Sequence, residues 1–286
     1  MLTDWISLPA AYELSGGGIN NLRALAKEYV DKDVTLFLSS EEMSRGGGAG
    51  GKVDMQALAQ IFAGFESVKI LCFLRSQWQF LQSVYLEIAR TRIPPPPHQI
   101  VAEALETGMV DGLWCNYSSL YDHLLTGFDA GDILFMDFDT ARNSKGGIIR
   151  VVLETLGIPL DINRLSLIND GLSNVSAAPL PTWAALAIAG GNMVNADLSE
   201  AVLTAFDLEF GPGAPNCLFT RKELENINNW AALKNAELLQ HIADTSGMQS
   251  NLLAKLPENT IFREDINSPF WVRAARRIFL ASRQTA

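Results

Sequence analysis

Cysteine and cationic side chains are scarce in this sequence, and each scarcity excludes a class of site. The three cysteines, Cys72, Cys115 and Cys217, lie far apart and match no zinc or redox spacing. Isolated thiols of this kind favour a reduced, cytoplasmic protein. The 22 Lys and Arg residues are outnumbered by 32 Asp and Glu residues, which gives a formal net charge of −10. This balance argues against binding a nucleic acid polymer but leaves room for a local pocket that binds one small anion.

Long apolar runs and clustered histidines are also missing. The longest apolar stretch, WAALAIAGGNMV, is too short and too interrupted by glycine to span a bilayer, so no transmembrane segment is predicted. The opening MLTDWISLPAAYEL has no basic segment followed by an apolar run, which argues against a signal peptide. His98, His123 and His241 are isolated and are best explained as surface or hydrogen-bonded side chains. No metal site is predicted.

What the sequence does contain is an alternation of strand and helix patterns. Three apolar runs, DVTLFLSS, VKILCFL and DILFMDFD, are typical of strands, and helical patterns lie between them. Such alternation predicts an α/β fold with a parallel sheet flanked by helices. Beyond about residue 174 the patterns are helical only. We therefore expect an α/β core over residues 1–175 and a helical carboxyl-terminal region over residues 176–286, packed on that core.

Arg75 stands at the place where an α/β sheet gathers ligands. It follows the predicted strand VKILCFL and precedes a predicted helix with Ser76 as the plausible cap. Ligands bind at the carboxyl ends of parallel strands, and a guanidinium there can hold an anion through two hydrogen bonds. Ser83 on that helix points nearly opposite to its apolar side, which is formed by Trp78, Leu81, Val84, Tyr85 and Ile88. The alternative is a surface ion pair for Arg75 and a solvent-facing Ser83.

Several segments, in order, resemble a known family. VKILCFLRSQWQFLQSVY is similar to the 3′-phosphate-binding segment of sulfotransferases that use 3′-phosphoadenosine-5′-phosphosulfate: an apolar strand, an arginine, and a serine eight residues later. TLFLSSEEMS resembles the strand and Ser-Ser-Glu segment of bacterial polysaccharide-type members. YSSLYDHLLTGFDAGDILFMDFDTARNSKGGIIRVVLETLGIP is similar to their helix, strand and helix, and NDGLSNVSAAPLP to their Asn-x-Ser passage. The resemblance covers roughly residues 33 to 185.

The resemblance implies a fold, a co-substrate and site residues. The fold would be a three-layer, P-loop-like parallel sheet flanked by helices. Arg75 and Ser83 would bind the 3′-phosphate of 3′-phosphoadenosine-5′-phosphosulfate, and no metal would take part. The reaction would move a sulfuryl group to a hydroxyl acceptor, for which a sugar or polysaccharide is one candidate. Glu41 occupies the family's general-base position.

Glu41 and its neighbour have competing explanations. If Ser39 caps a short helix, Glu42 stands at the third position and completes a capping box, which is a structural role. Glu41 has no such explanation and is the better candidate for the base that takes the acceptor proton. Alternatively, both carboxylates simply complement the amino-terminal end of a helix.

One family segment is missing, and this leaves catalysis open. Family members begin with a strand and a phosphate-cradling loop similar to Lys-Thr-Gly-Thr-Thr, which supplies a lysine and backbone amides for the 5′-phosphosulfate. No such segment occurs in this sequence, so we expect either a truncated chain or a protein that has lost half of its nucleotide site. Whether the chain is an enzyme by itself is therefore left open.

The glycine-rich run from Gly46 to Lys52 is a weak substitute for that loop. It fits the phosphate-loop pattern G-x-x-x-x-G-K formally, but Val53 stands where a magnesium-binding Ser or Thr belongs. A flexible loop over the acceptor cleft is the preferred interpretation. Two alternatives to the sulfotransferase hypothesis follow. One is a non-catalytic descendant that binds a nucleotide, a glycan or a protein, and the other is a P-loop kinase or hydrolase that uses Lys52.

Two further charged groups have ordinary explanations beside functional ones. Asp137 and Asp139 end the third predicted strand and could face the cleft, but a turn or capping role is preferred. RAARR places Arg273, Arg276 and Arg277 on a terminal helix, where they form either a solvated face or, less readily, a lid over an anionic ligand.

Overall fold

The computed structural model describes residues 17–47, 51–166, 177–242 and 252–284. The strands are β1 (Ile70–Leu74), β2 (Met109–Val110), β3 (Leu113–Trp114), β4 (Ile133–Asp137), β5 (Asn216–Cys217) and β6 (Ile261–Phe262). The helices are α1 (Gly18–Tyr29), α2 (Met55–Phe62), α3 (Gln77–Thr91), α4 (Pro97–Thr107), α5 (Tyr117–Leu125), α6 (Phe138–Asn143), α7 (Gly147–Thr155), α8 (Pro179–Ala189), α9 (Ala196–Phe210), α10 (Arg221–Ile242) and α11 (Ser268–Gln284).

The chain divides into two units, and each unit is made of three chain segments. The first unit comprises Met1–Arg75, Glu103–Leu160 and Trp230–Leu252. The second comprises Ser76–Ala102, Asp161–Asn229 and Leu253–Ala286. The domain boundary predicted between residues 175 and 176 falls within residues 167–176, which lie outside the described part of the chain. That boundary stays a prediction.

A parallel strand pair organises the first unit. β1 pairs with β4 in register from Ile70 opposite Ile133 to Leu74 opposite Asp137. Both strands form within the apolar runs that predicted them. Parallel strands need a long crossover connection, and here the segment between β1 and β4 includes helix α5. The structure is thus mixed α/β, with mostly helices and a small parallel sheet. The predicted three-layer, P-loop-like core goes beyond this finding and stays a prediction.

The run DVTLFLSS forms no strand, which corrects one detail of the sequence interpretation. Residues 35–40 form neither a helix nor a strand, and they belong to no ladder among the described residues. Leu36 and Leu38 pack against the core of the first unit, whereas Val34 and Phe37 are 52% and 55% exposed. The period-2 pattern is therefore real, but it reflects one buried side and not a paired strand.

The core of the first unit lies on the parallel pair. Buried side chains from α1, α2, α5, β1 and β4 form one cluster, which Leu238, Ile242 and Leu252 complete. Phe135 on β4 is fully buried and meets the Tyr121 ring edge-on at 5.8 Å between centroids. Burial of this apolar surface, at roughly 25 cal/mol per Å², is the main force that holds the pair in place.

A tight hairpin is hydrogen-bonded to the start of the glycine-rich run. β2 and β3 are joined through Asp111 and Gly112, whose φ angles of 49° and 79° are those of a type I′ turn. The Gly112 carbonyl accepts from the Gly46 amide at 3.1 Å, and Gly46 itself forms an antiparallel bridge with Lys52. A side chain at Gly46 would collide with the Trp114 indole, so glycine is required there. Residues 48–50 lie outside the described residues.

The second unit has an apolar core of helices. α8, α9 and α11 bury a cluster that includes Leu180, Val202, Phe206, Phe270 and Ala274. β5 and β6 form a short parallel pair, Asn216 opposite Ile261 and Cys217 opposite Phe262. The sequence predicted helices only in this part of the chain. Two-residue strands were missed because their side-chain pattern is too short to show a period.

Candidate functional site

The candidate site lies where β1 and β4 end together. Leu74 and Asp137 are paired, so Arg75 and Phe138, the next residue of each strand, emerge at the same edge of the sheet. The guanidinium carbon of Arg75 lies 4.6 Å from the centroid of the Phe138 ring. This is a cation–π contact, which holds the guanidinium close to the ring.

Tyr117 anchors the backbone of the same arginine. It is the first residue of α5, it is buried, and its hydroxyl donates to the Arg75 carbonyl at 2.8 Å. Asn116 fixes this end of α5, because its side-chain oxygen accepts from the amides of Ser118 and Ser119 at 3.1 and 3.4 Å. Arg75 is therefore held at two points, at its carbonyl and at its charged end.

Burial and nearby charges shift the pKa of the Arg75 guanidinium in opposite directions. Burial lowers the pKa of the Arg75 guanidinium, since desolvation penalises its charged form. The carboxylate of Asp139 raises the pKa of Arg75, whereas the cation Arg142 lowers it. The Arg75 guanidinium is therefore a partly buried cation, with charges of both signs acting on it.

Asp137 has a structural role. It is the N-cap residue of α6, where its carboxylate accepts from the Thr140 amide at 2.7 Å. This is the capping role that the sequence favoured for it. Asp139, one turn further, contributes to the electrostatics of Arg75 as described above.

Ser83 lies on α3 in the second unit, while Arg75 ends the first unit. The five residues predicted to form the apolar side of α3 are all buried: Trp78, Leu81, Val84, Tyr85 and Ile88. Ser83 is half-buried. Ser76 stands at the N-cap position, although its hydroxyl bonds the Gln79 side chain at 2.7 Å. That Arg75 and Ser83 bind the same phosphate stays a prediction.

Glu41 opens a single turn of 3₁₀ helix, Glu41–Ser44. Its side chain and that of Glu42 lie outside the described part of the structure. The general-base role of Glu41 and the capping role of Glu42 therefore both stay predictions.

Lys52 lacks the surroundings of a phosphate-loop lysine. It is exposed, its backbone pairs with Gly46, and α2 begins only at Met55. The amino-terminal end of α2 is occupied by Asp54, whose carboxylate accepts from the Ala57 amide at 2.9 Å. A carboxylate at that position repels a phosphate, so this helix end is a poor anion site.

Sequence reasoning missed two residues that contact Arg75, namely Phe138 and Tyr117. Neither has a local signal, because these contacts depend on how β1, β4 and α5 come together in the fold. The Asp111–Gly112 turn did have a signal, since Asp-Gly between apolar residues is typical of a type I′ hairpin.

Two further findings concern the described residues only. No group of His, Cys, Asp or Glu side chains among them is arranged to hold a metal ion. None of the helices in this part of the chain combines the length and the apolar character needed to cross a membrane.

Comparison with known proteins finds no family model, no curated protein and no solved structure that matches the chain. The resemblance to sulfotransferases therefore rests on the quoted residues alone.

Proposed function

We propose that the chain binds the 3′-phosphate of an adenosine nucleotide at Arg75 and belongs functionally with sulfotransferases that use 3′-phosphoadenosine-5′-phosphosulfate. The observation that carries the proposal is the placement of Arg75 at the carboxyl end of the parallel pair, in cation–π contact with Phe138 and with its carbonyl hydrogen-bonded by Tyr117. A guanidinium carries its N–H groups in its own plane, in a fork that matches the oxygens of a phosphate. Such a group can hold a phosphate through two hydrogen bonds.

The chemistry proposed for the site is transfer of a sulfuryl group to a hydroxyl. The acceptor oxygen attacks the sulfur, the bond from sulfur to the 5′-phosphate oxygen breaks, and the acceptor proton passes to a base. Glu41 is the proposed base, on the strength of the family resemblance. Ser83 is the proposed second ligand of the 3′-phosphate. The acceptor is proposed to be a carbohydrate hydroxyl.

Isothermal titration calorimetry with 3′,5′-adenosine bisphosphate tests the nucleotide site. Arg75→Ala is expected to weaken binding roughly 10- to 100-fold, because a charged hydrogen bond contributes about 1.5–3 kcal/mol. Arg75→Lys keeps the positive charge but loses the paired N–H donors of the guanidinium. Its affinity should therefore lie between that of wild type and that of Arg75→Ala. Ser83→Ala should cost roughly fivefold, since it removes a neutral donor worth about 1 kcal/mol.

The matched control is Arg90→Ala. Arg90 is an exposed arginine of α3 that pairs with Glu87 at 3.0 Å. Its removal should leave the affinity unchanged. Equal binding by wild type and by Arg75→Ala, with both proteins folded by circular dichroism, would refute the assignment.

The non-catalytic alternative predicts the same binding result and differs in turnover. A descendant of the fold that only binds nucleotide would show the Arg75 effect but would transfer no sulfate from labelled donor to any hydroxyl acceptor. Transfer that is abolished in Glu41→Gln, with nucleotide affinity retained, would favour the enzyme.

A further inference from the structure

The last helix has a composition unlike that of the rest of this acidic protein. α11 reads SPFWVRAARRIFLASRQ and contains arginines at 273, 276, 277 and 283 but no acidic residue. The chain as a whole carries a formal charge of −10. α11 thus carries four positive charges and no negative one within an acidic chain.

α11 has one apolar side in the core and a second apolar group on the opposite side. Phe270 and Ala274 are fully buried against α8 and α9. Val272, Phe279 and Leu280 are 59%, 56% and 54% exposed. At 100° per residue these three fall within about a quarter of the helix circumference, away from the buried residues. Burial in the bundle accounts for only one of the two apolar groups.

Two of the four arginines lie among the exposed apolar side chains. By the same rotation, Arg276 and Arg283 fall between Phe279 and Leu280 on the outward side, and the Arg283 guanidinium lies 4.8 Å from the Phe279 ring centroid. Arg273 is paired with Glu209 at 2.7 Å. Among the described residues, no carboxylate lies within ion-pair distance of Arg276. Arg277 falls about 20° from the buried Phe270 by the same rotation and is not part of the outward side. The outward side therefore presents cations and apolar groups together.

We propose that the outward side of α11, formed by Val272, Arg276, Phe279, Leu280 and Arg283, binds the surface of an anionic lipid bilayer. Arginine guanidinium groups pair with lipid phosphates and carboxylates, while aromatic and aliphatic side chains enter the boundary between headgroups and acyl chains. A soluble polyanion would use the charges but would leave the exposed Phe279 and Leu280 without a role. The combination of both favours lipid.

Vesicle co-sedimentation of the full chain tests the proposal. Wild type should bind vesicles of phosphatidylcholine mixed with phosphatidylserine and should not bind phosphatidylcholine alone. Arg276→Glu with Arg283→Glu should lower the partition coefficient roughly tenfold or more, because each basic residue near the surface contributes a severalfold factor. Phe279→Ser with Leu280→Ser should also lower it, while Arg276→Lys with Arg283→Lys should retain binding.

A charge-matched control separates the α11 surface from net charge. Arg90→Glu with Lys222→Glu changes the net charge by the same amount at exposed positions on α3 and α10, and should leave vesicle binding intact. Heparin binding that survives Phe279→Ser with Leu280→Ser, without vesicle binding, would overturn the proposal in favour of a soluble polyanion. Self-association that this variant abolishes, again without vesicle binding, would overturn it in favour of a second copy of the chain.

Discussion

The guanidinium carbon of Arg75 lies 4.6 Å from the centroid of the Phe138 ring, within the distance of a cation–π contact. The two residues are distant in sequence and meet because Leu74 pairs with Asp137 one position earlier. Because this contact depends on the pairing of β1 with β4, the position of the Arg75 guanidinium is more restricted than that of a guanidinium in a flexible surface ion pair.

Removing the Phe138 ring should weaken nucleotide binding less than removing Arg75 itself. Phe138→Leu keeps an apolar side chain but removes the cation–π interaction, worth roughly 0.5–2 kcal/mol. We expect the affinity for 3′,5′-adenosine bisphosphate to fall by less than in Arg75→Ala. Phe65→Leu is the control, since Phe65 contacts the Phe62 ring instead of a guanidinium. An equal loss in both leucine variants would show that the effect is not specific to Arg75.

Gly112 should tolerate no side chain, because two separate penalties coincide there. Its φ is +79°, and a Cβ would collide with the backbone carbonyl oxygen of Gly47. Gly157 has a similar φ of +64° but open space around the Cβ position. We expect Gly157→Ala to lower the free energy of unfolding by about 1 kcal/mol, and Gly112→Ala to cost a further 1–3 kcal/mol or so. Urea denaturation measures both, and equal losses would contradict the described packing.

His123 should make the protein less stable in mild acid. It is 6% exposed, its Nε2 has no hydrogen-bond partner among the described residues, and the Trp114 ring lies 5.7 Å away. Burial lowers the pKa of His123, and the positive charge of Lys52 lowers it further. The carboxylate of Asp54 and a hydrogen bond to the Val53 backbone raise it by a smaller amount.

The sign of this pH effect follows from the lowered pKa. The unfolded chain, with a histidine pKa near 6.5, binds a proton that the folded protein resists. The free energy of unfolding should therefore fall as the pH drops below about 6.5, by at most about 1.4 kcal/mol per pH unit. His123→Gln should flatten the dependence, and His98→Gln, at an exposed position, should not. A slope that His123→Gln leaves unchanged would refute the prediction.

Glu223 carries two structural interactions in the second unit. It accepts two hydrogen bonds from the Arg263 guanidinium at 2.6 and 2.8 Å, and both side chains are largely buried, at 14% and 16% exposure. It also accepts from the Thr220 amide at 2.8 Å, while the Thr220 hydroxyl accepts from the Glu223 amide at 3.1 Å. This is a capping box at the start of α10.

Neutralising that carboxylate should therefore be costly. We expect Glu223→Gln to lower the free energy of unfolding by roughly 2–3 kcal/mol, because Arg263 would keep a buried charge without its counter-ion. Glu225→Gln removes an exposed partner of Lys222 and should cost less than about 0.5 kcal/mol. Thermal unfolding of the two variants side by side gives the comparison, and equal melting temperatures would contradict it.

The elements that could be predicted from the sequence are those with a strong local pattern. β1 and β4 come from continuous apolar runs, α3 buries the side that its spacing indicated, and Asp137 caps α6. The run containing Phe37 shows the limit of such patterns. Alternation indicates one buried side, but whether a neighbouring strand exists depends on distant residues, and in the described structure that run belongs to no ladder.

The same reasoning explains the candidate site. The position of Arg75 at a strand end is a local property and was predicted. Its contacts with Phe138 and Tyr117 are set by the β1–β4 pairing and by the entry of α5, which no short segment encodes. The Asp-Gly dipeptide at positions 111 and 112 is by itself a signal for a type I′ turn. The hydrogen bond from Gly46 in the glycine-rich run to Gly112 is visible only in the folded structure.

The most direct test measures how much the 3′-phosphate adds to nucleotide affinity. Titrations of wild type and Arg75→Ala with adenosine 5′-phosphate and with 3′,5′-adenosine bisphosphate give that increment in each protein. We predict that wild type prefers the bisphosphate at least tenfold or so and that Arg75→Ala loses this preference. Equal affinity of wild type for the two nucleotides, or a preference that survives in Arg75→Ala, would contradict the account.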